Sequence, residues 1–320
     1  MRPADIPARI AHARELYRRC VACEWRCGVD RVAGELGRCG LDAQGRVARE
    51  SLSVGEEADL SPSHLVYFSG CSFRCAFCLS GEMVVHPRKP APTSLRVLTD
   101  AVMQRQQEGA RTLNVLGGDP SVNVLAILEL VAALPPNVKL VWNTNLYHSD
   151  EVAELLDGVV DVWLADLKFG QDACARRLAQ VERYTEVVHR NLRRVRAGGQ
   201  RLMVRHLLMP GHLECCTEPV ALFLARELPD VEVSLMGTFL PLHRTPDCAE
   251  LLADPTWDGA EQARRIAAKH GLRTVTPSAL DGVTTRTRGY AGTLFFDANG
   301  NVTMMDPSAD VMALARALSH

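Results

Sequence analysis

Beyond residue 60, apolar runs of strand length alternate with longer segments whose apolar positions recur every three to four residues. Strands are predicted over 65–68, 112–116, 138–142, 159–167, 201–208 and 231–236, and helices over roughly 93–108, 122–134, 149–156, 171–198, 218–228 and 258–270. The strands carry Val, Leu or Ile on both alternating faces, as parallel strands buried on both sides require. Ser149, followed by Glu151 and Glu154, and Pro219 mark helix starts. Six strand-helix units in succession imply a parallel, right-handed arrangement, and six are too few for a closed eight-stranded barrel. The expected fold is therefore α/β, a partial (β/α)6 TIM-like barrel. A doubly wound sheet is the alternative, because periodicity does not say whether helices cover one face or two. In both, ligands belong at the carboxyl ends of the strands.

Two parts fall outside the alternation, which gives three expected regions: a cysteine-rich segment over 1–60, the barrel over 61–282 and an extension over 283–320. In the extension, "TLFF" and "NVTMM" flank Asp297-Ala298-Asn299-Gly300, a hairpin signal through Asn-Gly, and a short helix is expected after Pro307. No solenoid repeat and no low-complexity linker is visible.

Charge names no partner. Lys+Arg of 36 against Asp+Glu of 38 leaves a formal net charge of -2, and no block of like charges suggests a nucleic-acid arm. The opening "MRPADIPARIAHARELYRRC" is arginine-rich, yet it contains Asp5 and Glu15 and lacks the apolar core of a signal peptide. No run of 18 apolar residues predicts a membrane span. A cytoplasmic protein is expected, with no nucleic-acid and no membrane partner. There, eleven cysteines argue for bound metal rather than disulfides.

The tightest cluster is "GCSFRCAFCLS", with Cys71, Cys75 and Cys78 spaced C-x3-C-x2-C just after the first strand. Soft thiolates this close suit an iron-sulfur cluster or zinc. A closed structural site needs four ligands, and the next candidates are His86 and Cys174. Three thiolates on a four-iron cluster leave one iron open to an outside ligand. At the end of the second strand stands "LGGDP", whose Gly117 and Gly118 let backbone approach a ligand closely, although a tight turn explains the string equally well.

With Phe77 before the last cysteine, C-x3-C-x2-C resembles the radical S-adenosylmethionine (SAM) superfamily. The resemblance implies a [4Fe-4S] cluster on Cys71, Cys75 and Cys78 whose open iron chelates SAM. It also implies an electron donor such as flavodoxin or ferredoxin, and cleavage of SAM to a 5'-deoxyadenosyl radical that abstracts hydrogen from a substrate. In the family a "GGE" stretch binds the SAM amino group, which assigns Gly117, Gly118 and Asp119 to the cofactor site; Asp119 replaces the commoner Glu, so its side-chain role departs from the pattern. "VWNTNLYHSDEV" and "VDVWLADLKFG" resemble strand ends of the pyruvate formate-lyase activating enzyme group, by which Asn143, Thr144, Asp166 and Lys168 line the SAM pocket. Lys168 suits the SAM carboxylate or an acidic substrate, or else is a solvated strand terminus. Arg205 and His206 in "VRHLLMPGHLECC" need partners in so apolar a run and suggest a polar barrel interior, unless one of them faces a helix and a backbone carbonyl. Arg205 is included in the cofactor site, and so is His243 of "FLPLHR", comparable with an "LPYH" histidine of the activating enzymes.

Cys20, Cys23, Cys27 and Cys39, spaced C-x2-C-x3-C-x11-C, form a complete four-ligand set. Zinc and a second iron-sulfur cluster both fit. Together with "VGEEADLS" this segment resembles PflX-type homologues of the pyruvate formate-lyase activating enzyme, a likeness covering about residues 18–245. Cys215 and Cys216 read as ordinary buried thiols, and Cys174 and Cys248 carry no assigned chemistry. Function then divides three ways: glycyl-radical activation of a partner protein, radical modification of a peptide or small molecule, and a non-catalytic iron-sulfur or zinc module for electron transfer or assembly.

Overall fold

In the computed structural model the described residues are 3–237, 239, 243–252 and 259–275, with the backbone of three further strands up to residue 305. The strands are β1 (Val47–Ser53), β2 (Ser63–Phe68), β3 (Thr112–Gly117), β4 (Leu140–Thr144), β5 (Val162–Asp166), β6 (Arg201–Leu207), β7 (Glu232–Met236), β8 (Arg273–Val275), β9 (Thr285–Thr287), β10 (Thr293–Phe296) and β11 (Val302–Met305). The helices are α1 (Ile6–Arg18), α2 (Gly81–Val85), α3 (Leu95–Gln107), α4 (Val124–Ala133), α5 (Asp150–Leu156), α6 (Asp172–Ala179), α7 (Tyr184–Ala197), α8 (Glu218–Glu227) and α9 (Gly259–Lys269). Strands β2 to β8 lie side by side in chain order and run parallel. A doubly wound sheet reverses strand order at a switch point. None occurs here, so the fold is the open, partial TIM-like barrel with a cysteine-rich amino-terminal segment.

Antiparallel β1 and β9 extend the edge beside β2, and the short β8 adds a seventh parallel strand beyond the six predicted. Strands β10 and β11 pair antiparallel, as the Asn299-Gly300 signal requires; the turn itself and the helix expected after Pro307 lie outside the described residues.

Strand alternation builds two cores. Val66, Val115, Trp142, Trp163 and Val204 face the helices in the main core. On the opposite face Val141, Val162, Leu164 and Met203 close around Leu60 of the β1–β2 loop. That loop plugs the barrel interior from below. Above the plug, Arg205 on the same inward row donates to Glu57 at 2.8 and 2.6 Å and to Glu56 at 2.7 Å, and Asn114 donates to Glu56 at 3.2 Å. The polar interior expected from Arg205 is therefore an ion cluster. Its neighbour His206 points the other way, bonding the Leu167 carbonyl at 2.7 Å and Thr217 Oγ1 at 2.9 Å.

One predicted element divides. The segment 171–198 is two helices, because Gln180 and Arg183 adopt left-handed φ values of 53° and 49°. The carbonyls freed at the end of α6 are used: Ala76 N donates to Leu178 O at 2.7 Å and Arg74 N to Ala179 O at 2.9 Å. Amphipathic periodicity cannot reveal a break whose purpose is a contact a hundred residues away. Helix starts were more local; Ser94 and Ser149 cap α3 and α5 through Val97 N and Val152 N, each at 3.3 Å. Among the described residues no helix is long and apolar enough to cross a membrane.

Two buried imidazoles make the fold acid-labile. Burial lowers His206 to about 4, with the Lys168 charge assisting and the Leu167 carbonyl opposing. Burial, with Arg190 and Arg194 nearby, lowers His148 to about 3. Between these values and the ordinary 6.5 the unfolded chain binds protons that the folded chain does not, so stability present above pH 6.5 is lost as pH falls. The urea midpoint is expected to drop steeply between pH 6.5 and 4, with His206 alone contributing about 3 kcal/mol. A flat midpoint across that window would contradict the buried neutral state of both rings.

Candidate metal centre and strand-end rim

Cys71 stands three residues beyond the end of β2, and the loop that carries it is anchored on several sides. Asn123 Nδ2 donates to Ser69 O and Trp25 Nε1 to Ser72 O, both at 2.9 Å. Arg74 and Ala76 dock on the end of α6, and Arg244 N reaches Ala76 O at 2.8 Å. Phe73 meets Tyr147 edge-on at 5.4 Å, while Phe77 packs on Phe169 at 6.2 Å and on Phe239 at 5.9 Å. These two aromatic anchors alternate with the cysteines and fix the loop by burial, worth about 2–3 kcal/mol each.

The three thiols share one environment. Burial pushes Cys71 well up, Cys75 up to about 12 and Cys78 up; Cys75 and Cys78 add to the shift at Cys71, and Cys78 to that at Cys75. The Lys168 ammonium opposes this at Cys75 and Cys78. Such thiols stay protonated at neutral pH until a metal replaces the protons. Phe73 N donates to Cys71 Sγ at 3.3 Å, and Asn145 Nδ2 approaches it at 3.6 Å, the outer hydrogen bonding that tunes ligated sulfur. His86 is exposed at the C-cap of α2, and Cys174 lies 3.5 Å from Cys215 instead. The donor set thus fits a cluster held by three soft ligands.

Gly117, Gly118, Asn143, Thr144, Asp166 and Lys168 occupy the carboxyl ends of three adjacent parallel strands, or the residues just beyond, and so share one rim with the cysteine loop. A Cβ on Gly117 would lie 2.2 Å from Phe68 O, and one on Gly118 only 1.9 Å from Gly70 O. The glycines let β3 press against the backbone that leads into Cys71. Gly118 N and Asp119 N already donate to Phe68 O and Gly70 O, both at 2.9 Å. What the turn can offer a ligand is carbonyl oxygen, the correct partner for an amine.

Asp119 turns inward. Its buried carboxylate accepts from Ser121 N at 2.9 Å, Thr144 Oγ1 at 3.0 Å and Asn145 N at 2.8 Å. Burial raises its pKa against these donors. It clamps the end of β4 and presents Asn145, which bonds Ser72 Oγ at 3.2 Å as well as approaching Cys71. Asn145 closes the same Asn-Thr-Asn string, and its approach to Cys71 is what marks it out. Lys168 pairs with Asp166 across a short contact, and its backbone N donates to Tyr184 OH at 2.8 Å. Burial disfavours the ammonium, but Asp166 and the Cys75 and Cys71 sulfurs outweigh it and hold its pKa up.

Arg205 borders this group, paired with Asp166 in the β5–β6 register, and His243 lies beside Gly81. The guanidinium of Arg205 is committed to Glu56 and Glu57, partners visible in "VGEEADLS" only as an acidic pair. His243 is exposed in the segment after β7, with its ring where a Cβ on Gly81 would stand, 2.7 Å from Nδ1.

The amino-terminal cysteines lie against the same loop. Burial raises Cys23 and Cys39, with the neighbouring sulfurs adding to the shift. Arg38 N donates to Cys27 Sγ at 3.3 Å. Arg31 is buried with its guanidinium over Tyr17 at 3.8 Å, on the Asp42 carbonyl at 2.7 and 3.1 Å and 3.9 Å from Cys20 Sγ, and no carboxylate joins it among the described residues. A buried cation requires an anion. The acidic groups beside it are Tyr17 and the Cys39 and Cys20 thiols. Cys23 bridges to His148, and Glu24 N donates to Tyr147 O at 3.2 Å, so the Asn145–His148 stretch touches both cysteine groups.

The family model of the radical SAM superfamily matches residues 65–224. An uncharacterised protein of Methanocaldococcus jannaschii is 31% identical over 278 residues, which cover 85% of this chain and 81% of that protein. Among solved structures, SuiB of Streptococcus suis superposes with a TM-score of 0.49 at 13% identity, over 67% of this chain and 48% of SuiB, so the match spans about half of that protein. A domain of a pyruvate formate-lyase-activating enzyme from Bacteroides vulgatus gives a TM-score of 0.41 at 19% identity, over 52% of this chain and 99% of that domain.

Proposed function

The chain belongs to the radical SAM superfamily, and from that membership we propose that it is an enzyme that cleaves SAM reductively and uses the product to abstract hydrogen from a protein or peptide substrate. Members of the superfamily carry a [4Fe-4S] cluster and bind SAM; one electron delivered there breaks the C5'–S bond to give methionine and a 5'-deoxyadenosyl radical. The observation that carries the reading is the meeting of three thiols, Cys71 buried and Cys75 and Cys78 half-buried, with the ends of β3, β4 and β5 on one rim. Cys71, Cys75 and Cys78 hold the cluster. The Gly117-Gly118 turn offers carbonyl oxygen to the SAM amine, Lys168 offers its ammonium to the carboxylate, and Asp119 holds Thr144 and Asn145 beside Cys71. Phe77, next to Cys78, packs on Phe169 and Phe239. After anaerobic loading with iron and sulfide, dithionite and SAM are expected to yield 5'-deoxyadenosine and methionine; a fully loaded protein that leaves SAM intact would overturn the reading.

Glycyl-radical activation within this class is supported by the "VWNTN" and "ADLK" strings at the ends of β4 and β5, and the retained "GGDP", Asp166 and Lys168 speak against a non-catalytic module. Removing the ammonium by Lys168→Ala is expected to weaken SAM binding by about 2 kcal/mol, roughly 30-fold, the value of a charged hydrogen bond. Unchanged SAM affinity and turnover would return Lys168 to a plain strand terminus paired with Asp166.

Cys20, Cys23, Cys27 and Cys39 form a second four-thiolate centre in this reading. Elemental analysis is expected to find that Cys20→Ser/Cys23→Ser removes either one zinc or about four irons per chain. The zinc outcome makes the segment a structural cover, and the iron outcome makes it an electron relay through Asn145–His148. An unchanged metal content in that variant would refute the second centre.

A further inference from the structure

Cys215 and Cys216 are not scattered buried thiols, and Cys174 is not isolated. Together with His212 they place one ligand atom each within 4.8 Å of all the others. Cys174 Sγ lies 3.5 Å from Cys215 Sγ, Cys215 Sγ 4.0 Å from Cys216 Sγ, and His212 Nδ1 lies 3.2 Å from Cys215 Sγ and 3.8 Å from Cys216 Sγ. We propose that Cys174, His212, Cys215 and Cys216 hold a zinc ion in a closed Cys3His site distinct from both other cysteine groups.

The distances are those of a tetrahedron around one ion. Zinc–sulfur bonds of about 2.3 Å and zinc–nitrogen bonds of about 2.0–2.1 Å put tetrahedral ligands about 3.8 Å apart between sulfurs and about 3.6 Å apart between sulfur and nitrogen. The four measured edges scatter around these values. A disulfide would need its sulfurs at about 2.05 Å, and a four-iron cubane spreads its thiolates farther apart than a single ion does. Three thiolates with one neutral imidazole are a usual structural zinc set.

The backbone is shaped for the purpose. Adjacent cysteines ordinarily diverge, but residues Leu213–Thr217 form a single π-turn, with Thr217 N reaching back to His212 O at 3.3 Å. Such widened turns recur at functional sites. Gly170 permits the approach of this turn to the β5–α6 loop; a Cβ there would fall 2.7 Å from Cys216 O and 2.9 Å from Cys215 O. The imidazole is oriented as well. Its Nδ1 faces the sulfurs, and its Nε2 lies 3.4 Å from the Arg177 guanidinium, which is itself ion-paired with Glu250, whose Oε1 is 4.0 Å from Nε2. With all four positions filled by protein, the ion leaves no place for substrate. It ties α6, whose carboxyl end carries the Arg74–Ala76 loop, to the turn after β6.

The test uses the full-length chain purified anaerobically, with zinc as the probe, read by elemental analysis and X-ray absorption at the zinc edge. Cys215→Ser/Cys216→Ser is expected to lose one zinc per chain, whereas Cys20→Ser/Cys23→Ser keeps the mixed sulfur–imidazole signature. His212→Cys is expected to retain the zinc and lose the nitrogen shell at about 2.0 Å, which decides the matter even if the double serine variant fails to fold. Unchanged zinc in the folded double variant, loss of iron instead of zinc, a Cys174–Cys215 disulfide in the anaerobic protein, or an imidazole shell that survives His212→Cys would each overturn the site. None of these readouts depends on SAM cleavage.

Discussion

Replacing Cys71, Cys75 and Cys78 together with alanine is expected to abolish reductive formation of 5'-deoxyadenosine and to lower the iron content by about four atoms per chain. Cys71 is buried, Cys75 and Cys78 are half-buried, and desolvation raises the pKa of all three, so their thiolate form exists at neutral pH only with metal bound. No spare ligand is at hand: His86 is exposed, and Cys174 is held near Cys215. Folding is expected to survive, because the loop is anchored by Phe73, Phe77 and backbone bonds to α6 rather than by its sulfurs. Metal at the amino-terminal cysteines is the internal control and is expected to stay. If the triple variant still produced 5'-deoxyadenosine, the assignment of this loop would be wrong.

The second large effect is expected from Gly118→Ala. Its new Cβ would stand 1.9 Å from the Gly70 carbonyl oxygen and 2.5 Å from that carbon, a collision with backbone that no rotamer relieves. Either β3 or the Gly70-Cys71 turn must move, which breaks the bonds from Gly118 N to Phe68 O and from Asp119 N to Gly70 O. Two lost hydrogen bonds and the displaced packing amount to about 3 kcal/mol or more. The variant is therefore expected to lose most of its cluster-loading capacity together with several degrees of melting temperature. Gly199→Ala supplies the comparison: at φ +68 with nothing within 4 Å of the added Cβ, it carries backbone strain alone, about 1 kcal/mol. Equal melting temperatures and equal iron loading in the two variants would show that the close approach at Gly118 has no weight.

The sequence carried what is periodic or contiguous. Six apolar runs with helical segments between them predicted β2 to β7, because burial on both faces leaves a mark at every position of a strand. The grouping of Cys71, Cys75 and Cys78 was legible because all three thiols sit in one loop, and the shared rim of Gly117-Gly118, Thr144 and Lys168 because strand ends of a parallel series meet whatever the loop lengths. Ser149 announced α5 for a similarly local reason.

Tertiary structure decided whatever depends on which loops face each other. Strand order alone excluded the doubly wound sheet. Leu60 as the plug of the barrel and Glu56 with Glu57 as the partners of Arg205 follow from the β1–β2 loop entering the interior, about 150 residues from the strand it meets. The division of 171–198 into α6 and α7 follows from the cysteine loop taking the Leu178 and Ala179 carbonyls. The part of the Asp119 carboxylate as a clamp on Thr144 and Asn145 is visible only in the fold. Cys174 and His212 meet Cys215 and Cys216 only because β5 and β6 are neighbours in register and Gly170 lets their loops touch. Hydrophobic patterning records how much of a side chain is buried, but a pairing between polar side chains far apart in the chain leaves no period, and only the register of the folded strands brings it about.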